Sequence, residues 1–95
     1  MTISREEAGA FARITTATTT QVRIGPGVLK RIVVNTPVSA GTIGLIDGQS
    51  GTTVNIGTIT STADLKPYFI DFDLKFASGL RIVTVQTQDI TVIYA

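Results

Sequence analysis

Asp71 and Asp73 stand two apart in the segment Pro67-Tyr68-Phe69-Ile70-Asp71-Phe72-Asp73-Leu74, and alternation along an extended strand puts both carboxylates on one face. Their separation of about 7 Å lies in the range used by inverting glycosidases, and with Asp47 or Asp64 they are the nearest approach in this chain to a divalent-cation site. Any strand with alternating acids produces the same geometry, however, and there is no Trp to form a sugar-binding platform. A solvated polar face is the ordinary reading of such a pair. Gly25-Pro26-Gly27 upstream of Lys30 lacks the longer glycine loop, the Lys-Ser/Thr pair and the following helix that a phosphate loop requires, so it reads as a turn. Serine and threonine hydroxyls are abundant, but the chain has no His to act as their base and no Cys to act as nucleophile or metal ligand. The residues therefore predict no catalytic residue, no metal site and no cofactor, and a chain that is not an enzyme.

What these residues are mounted on follows from composition. Ninety-five residues make one domain, too small to combine a catalytic with a regulatory unit. A domain of this size buries roughly 60 to 70% of its unfolded-chain surface, and with no disulfides to add stability, self-association is the expected supplement. A formal net charge of +1 supplies no field to steer the chain toward nucleic acid or an anionic membrane. Only 16% of residues are charged against 43% hydrophobic, which points to part of the surface meeting protein rather than water. The first seven residues contain two acids and no apolar run, which predicts neither a signal peptide nor a membrane span, and a chain made in a cytoplasm.

Sixteen threonines favour extended backbone, and from Gln21 onward short apolar runs alternate with turn signals. Val22 and Ile24 close a first strand before the Gly25-Pro26-Gly27 turn. Val28–Asn35 carries apolar residues in both alternation phases and is predicted to be a central strand ended by Pro37. Thr42–Asp47 and Thr52–Ile59 are predicted to pair as a hairpin across Gly48-Gln49-Ser50-Gly51, with Val54 and Ile56 on one face. The segment around Asp71 alternates most cleanly, with Tyr68, Ile70, Phe72 and Leu74 pointing one way. Ser78-Gly79 turns into Leu80–Thr87, and Gln88-Asp89 is predicted to join that run to Ile90–Tyr94 as a tight hairpin. The pattern predicts an all-β, antiparallel β-sandwich of seven or eight short strands, jelly-roll-like, over residues 18–95.

Residues 1–17 differ from the rest. Ser4 and Glu7 have the capping-box spacing, but Gly9 arrives within two turns and little apolar periodicity follows, so an extended arm with at most one helical turn is expected. Thr15, Thr16, Thr18, Thr19 and Thr20 are strand-prone without fixing a register, and are candidates for lying on a neighbouring subunit or another protein. Lys30 and Arg31, expected on opposite faces of an otherwise apolar strand, are candidates for an intersubunit ion pair.

Gly27-Val28-Leu29-Lys30-Arg31-Ile32-Val33-Val34-Asn35, Gly41-Thr42-Ile43 with Asp47-Gly48, Phe76-Ala77-Ser78-Gly79-Leu80 and Asp89-Ile90-Thr91-Val92-Ile93-Tyr94 together resemble a group of small tailed-bacteriophage virion proteins, over about residues 20–95. The resemblance is a strand-and-turn framework without an active-site signature. It implies a compact β-sandwich of the head decoration (cement) or head-fibre base type, often trimeric, that sits on the capsid exterior of the virion. The partners it implies are further copies of the chain, as a homotrimer, and the major capsid protein of the phage head. A receptor- or glycan-binding fibre module and a tail or baseplate component are the alternatives within the same fold.

Overall fold

The structure, a computed structural model, describes residues 10–49, 52–61 and 66–95; the capping-box segment Ser4–Glu7, the Ser50-Gly51 connection and Asp64 lie outside them. Eight strands are present among the described residues: β1 (Ala10–Ile14), β2 (Thr19–Ile24), β3 (Gly27–Thr36), β4 (Thr42–Gln49), β5 (Thr52–Thr60), β6 (Tyr68–Phe76), β7 (Gly79–Thr84) and β8 (Asp89–Tyr94). They form two four-stranded sheets, β1-β8-β3-β6 and β2-β7-β4-β5, in which every pairing is antiparallel. The pairings nest: β1 with β8, β2 with β7, β3 with β6, β4 with β5. This nesting is jelly-roll topology, in which the chain folds as one long doubled ribbon wrapped over two sheets.

The core lies between the sheets and is built mainly by the four inner strands. Leu29, Ile32 and Val34 of β3, Ile43 and Leu45 of β4, Leu80 and Ile82 of β7, and Ile90 and Val92 of β8 are buried, with Ile14 and Phe76 closing the ends. The edge strands contribute half-buried residues, among them Val22, Ile56, Tyr68, Phe72 and Leu74. The expected inward set on β6 and the central place of β3 are both present.

The mixed apolar phase of β3 has a specific cause. Its register shifts between Leu29 and Arg31 against both neighbours, so Leu29 and Ile32 enter the core although they are three apart. Strand β5 behaves similarly. Its register shifts opposite Leu45 and Ile46, with Ile56 as the additional residue, so Ile56 packs on the core while Val54 is exposed and the two do not share the expected environment.

Three expectations about connections are corrected. Within the predicted arm of residues 1–17, Ala10–Ile14 is a strand of the sandwich: it pairs with β8 over its whole length and Ile14 is buried, because the alternation needed to bury one side chain at the sheet edge requires very few residues. The β4–β5 strands run on through Gly48 and Gln49, which pair with Thr53 and Thr52 and shorten the connection to two residues. Most consequentially, β7 and β8 are not a hairpin; they belong to different sheets, and residues 85–88 cross between layers with Gln88 buried and its Nε2 donating to the Thr42 carbonyl.

Candidate functional site

Two of the candidate acids, Asp71 and Asp47, serve as structural acceptors. Arg31 Nε donates to Asp71 Oδ1 across the β3–β6 pair, and the Arg31 guanidinium lies 4.5 Å from the centre of the Phe69 ring. Arg31 is therefore engaged within its own chain through Nε, and the opposite-face reading of Lys30 and Arg31 is displaced by the register shift at that point. Asp73 shares the outer face of β6 with Asp71 and is exposed. Asp47 sits at the end of the sandwich, where it accepts the backbone amides of Ala77 and Ser78, each at 2.9 Å, and of Gly79 at 3.4 Å. Those amide bonds, Ala77 first, hold its carboxyl below the usual aspartate range. No cluster of three or more acids, His or Cys able to hold a cation occurs among the described residues.

Gly25-Pro26-Gly27 is the turn expected: Gly25 has φ +93°, and its amide donates to the Ser78 carbonyl, tying the β2–β3 turn to the β6–β7 turn. The threonine run is also part of the domain. Thr15–Thr18 carries the chain from the first sheet to the second, and the buried Thr84 hydroxyl donates to the Thr16 carbonyl at 2.6 Å while accepting the Thr18 amide at 3.1 Å. Thr84 and Thr18 also share a backbone bond. Thr19 and Thr20 begin β2, opposite Val83 and Ile82. The backbone of the run is thus held to its own sandwich by a buried hydroxyl that organises the crossing, while the side chains of Thr15, Thr16, Thr18 and Thr19 are exposed.

What the fold exposes is two broad outer faces. On the first sheet the register sets two rows across the strands: Phe11, Ile93, Arg31 and Asp71 in one, and Arg13, Thr91, Val33 and Phe69 in the next. Phe11 is 72% and Phe69 58% exposed. The charged members are fixed from within. Arg13 grips Asp89 through two bonds, Nε to Oδ1 at 2.9 Å and Nη2 to Oδ2, and Asn35 donates to both Asp89 and Thr91. The bond from Arg13 is the main cause that keeps the Asp89 carboxyl below its ordinary range and raises the guanidinium in turn.

The outer face of the second sheet holds an open groove of about 310 Å³. Gly44 forms its floor, because a residue without a side chain sits between Val83 and Thr58; Ile46, Val83 and Val85 give it apolar walls and Asn55 a polar rim. Val85 is 63% exposed. Buried at the same end of the sandwich as the crossing, Gln88 Oε1 has no hydrogen-bond partner among the described residues.

The outer phase of β6 was legible, since an inward Tyr68, Ile70, Phe72 and Leu74 leaves Phe69 outward beside Asp71. The row it completes was not, because Phe11 lies in the segment read as an arm and its neighbour Ile93 is brought beside it by pairing across most of the chain. No protein-family model matches the chain, and no curated protein shows significant similarity to it.

Proposed function

We propose that this chain is a structural protein of a tailed-bacteriophage virion: a head decoration, or cement, protein that binds the outer capsid surface as a homo-oligomer and stabilises the shell. The observation that carries this reading is the pair of broad outer faces, each presenting apolar side chains to solvent, with the first sheet cross-braced by two ion pairs. The framework resemblance over residues 20–95 supports the virion setting, and the plate-like outline of 39 × 39 × 19 Å suits a body laid flat on a surface.

The mechanism is adhesion. A protein that grips contacts present only in the assembled shell shifts the equilibrium toward that shell by its binding free energy, and no bond needs to be made or broken. Rigidity is what makes the grip effective, because a sandwich whose first sheet is already braced by Arg13–Asp89 and Arg31–Asp71 loses little conformational freedom on docking. The attachment surface proposed is a sheet face rather than the threonine run.

The test is direct. Purified protein is mixed with undecorated phage heads, unbound material is removed by sedimentation, and head rupture is followed on heating. Co-sedimentation with a raised rupture temperature supports the reading; absence of binding to heads overturns it. A glycan-array signal without head binding would favour the fibre-module alternative, for which the exposed Phe69 beside Asp71 is the relevant feature, although Arg31 already covers one face of that ring.

A further inference from the structure

We propose that the outer face of the first sheet is a two-fold self-association surface, and that its occupant is the same face of a second copy of this chain. The inference rests only on the homo-oligomer part of the function proposed above, and capsid binding can fail without touching it. Three observations support it.

The first is the arrangement of apolar groups. Phe11 and Ile93 are directly paired at one side of the face, Val33 and Phe69 at the other, so the apolar groups run diagonally across all four strands. The diagonal ends in the two exposed phenylalanines. A two-fold axis lying in the plane of the face along that diagonal sets each phenylalanine against its own copy. It also carries Arg13 toward the side of the second copy where the partner's Asp71 lies.

Charge is the second. The face carries Arg13, Lys30, Arg31 and Lys75 against Asp71, Asp73 and Asp89, a near balance with one positive charge in excess, and two opposite pairs are already joined within the chain. A surface so nearly balanced meets its own copy with little like-charge repulsion, and Asp73 and Lys75, which have no ion-pair partner among the described residues, are of opposite sign and can pair across the two copies.

The third is closure and area. The outer faces of the two sheets point in opposite directions, so seating the first face of one copy on the second face of the next would repeat without end and build a filament. Seating the first face on itself closes at two. Four strands about 4.8 Å apart and five residues deep make a face roughly 19 by 17 Å, about 320 Å² in projection; with side-chain relief about 400–500 Å² is covered per subunit, the size of a weak, reversible contact. A dimer with Kd on the order of 10 µM is the expected strength.

The experiment is sedimentation equilibrium of the whole chain up to about 200 µM, roughly twenty times that Kd. Three proteins are compared: wild type, Phe11→Lys on this face, and Val85→Lys on the opposite one, with circular dichroism and melting curves to show that each is folded. The expected result is a wild-type dimer, weakened at least about tenfold by Phe11→Lys and unchanged by Val85→Lys. A wild type that stays monomeric or forms trimers overturns the proposal, as does equal weakening by both substitutions or by neither. Should Phe11→Lys fail to fold, Thr91→Cys decides. It places the only thiol of the chain near the centre of the face, close to its copy for any in-plane axis. A short bis-maleimide must then yield a covalent dimer, and failure to do so overturns the assignment.

Discussion

Asp47 and Thr84 show how single polar groups hold this fold where the backbone changes direction. The carboxylate of Asp47 accepts three consecutive amides and thereby shapes the β6–β7 turn, which also bonds to the β2–β3 turn through Ser78 and Gly25. Asp47→Asn replaces one acceptor oxygen with a donor facing those amides, so the melting temperature is expected to fall and the Ala77–Gly79 amides to exchange faster; unchanged exchange there would refute the assignment. Thr84 acts on the other end. Thr84→Val keeps the shape and removes the hydroxyl, stranding the Thr16 carbonyl and the Thr18 amide on the crossing, which is expected to cost about 1–3 kcal/mol in denaturant unfolding. Neither role could be read from the sequence, because Asp47 is separated from its amides, and Thr84 from the crossing, by long stretches of chain.

At the level of the elements, strand existence was legible and strand partnership was not. Alternation names the inward residues of β6, and Gly-Pro-Gly names the β2–β3 turn, because both are local physics. The β7–β8 crossing has the sequence of a hairpin. It becomes a layer change only because Asp89 is held by Arg13 and Asn35 in one sheet while the residues before it follow β4 in the other. The irregularity in β3 was visible as a mixed apolar phase, and its cause needed the register of two neighbours. The core that these strands share sets the scale of substitution effects: Ile32→Ala, fully buried on the central β3, is expected to lose about 2–5 kcal/mol. Two glycines in strands should behave oppositely. A Cβ on Gly79 would stand 2.7 Å from the Arg23 carbonyl and 2.9 Å from that of Gly48, both backbone atoms that cannot yield, so Gly79→Ala is expected to destabilise by about 1–3 kcal/mol. A Cβ on Gly57 meets nothing within 4 Å, and Gly57→Ala should be neutral or stabilising by about 0.4–1 kcal/mol. Equal effects from the two would show that close backbone approach is not what keeps Gly79.

For the whole molecule, the two aspartates with lowered carboxyls brace opposite ends of the sandwich: Asp47 joins β4 to the β6–β7 turn, and Asp89 joins β8 to β1 and β3. Each is held below its ordinary range in the folded chain, so protons bind the unfolded chain more readily than the folded one. Their contribution is accordingly complete above the unfolded value of about 3.9 and is lost as pH falls through the lower folded values. The chain has no His, which removes the side chain that ordinarily titrates between about pH 5 and 8. The melting temperature should therefore be level across that interval and decline below about pH 4. In the double variant Asp47→Asn, Asp89→Asn the plateau should be lower and the acid decline shallower, since the groups responsible no longer titrate. A variant that keeps the wild-type acid slope would place the acid sensitivity elsewhere. Because Asp89 secures β1, the edge strand that carries Phe11, the same decline should be accompanied by earlier exchange of the β1 amides than of those in β3, so that the face lined by Phe11 and Phe69 comes apart at its edge before the core between the sheets opens.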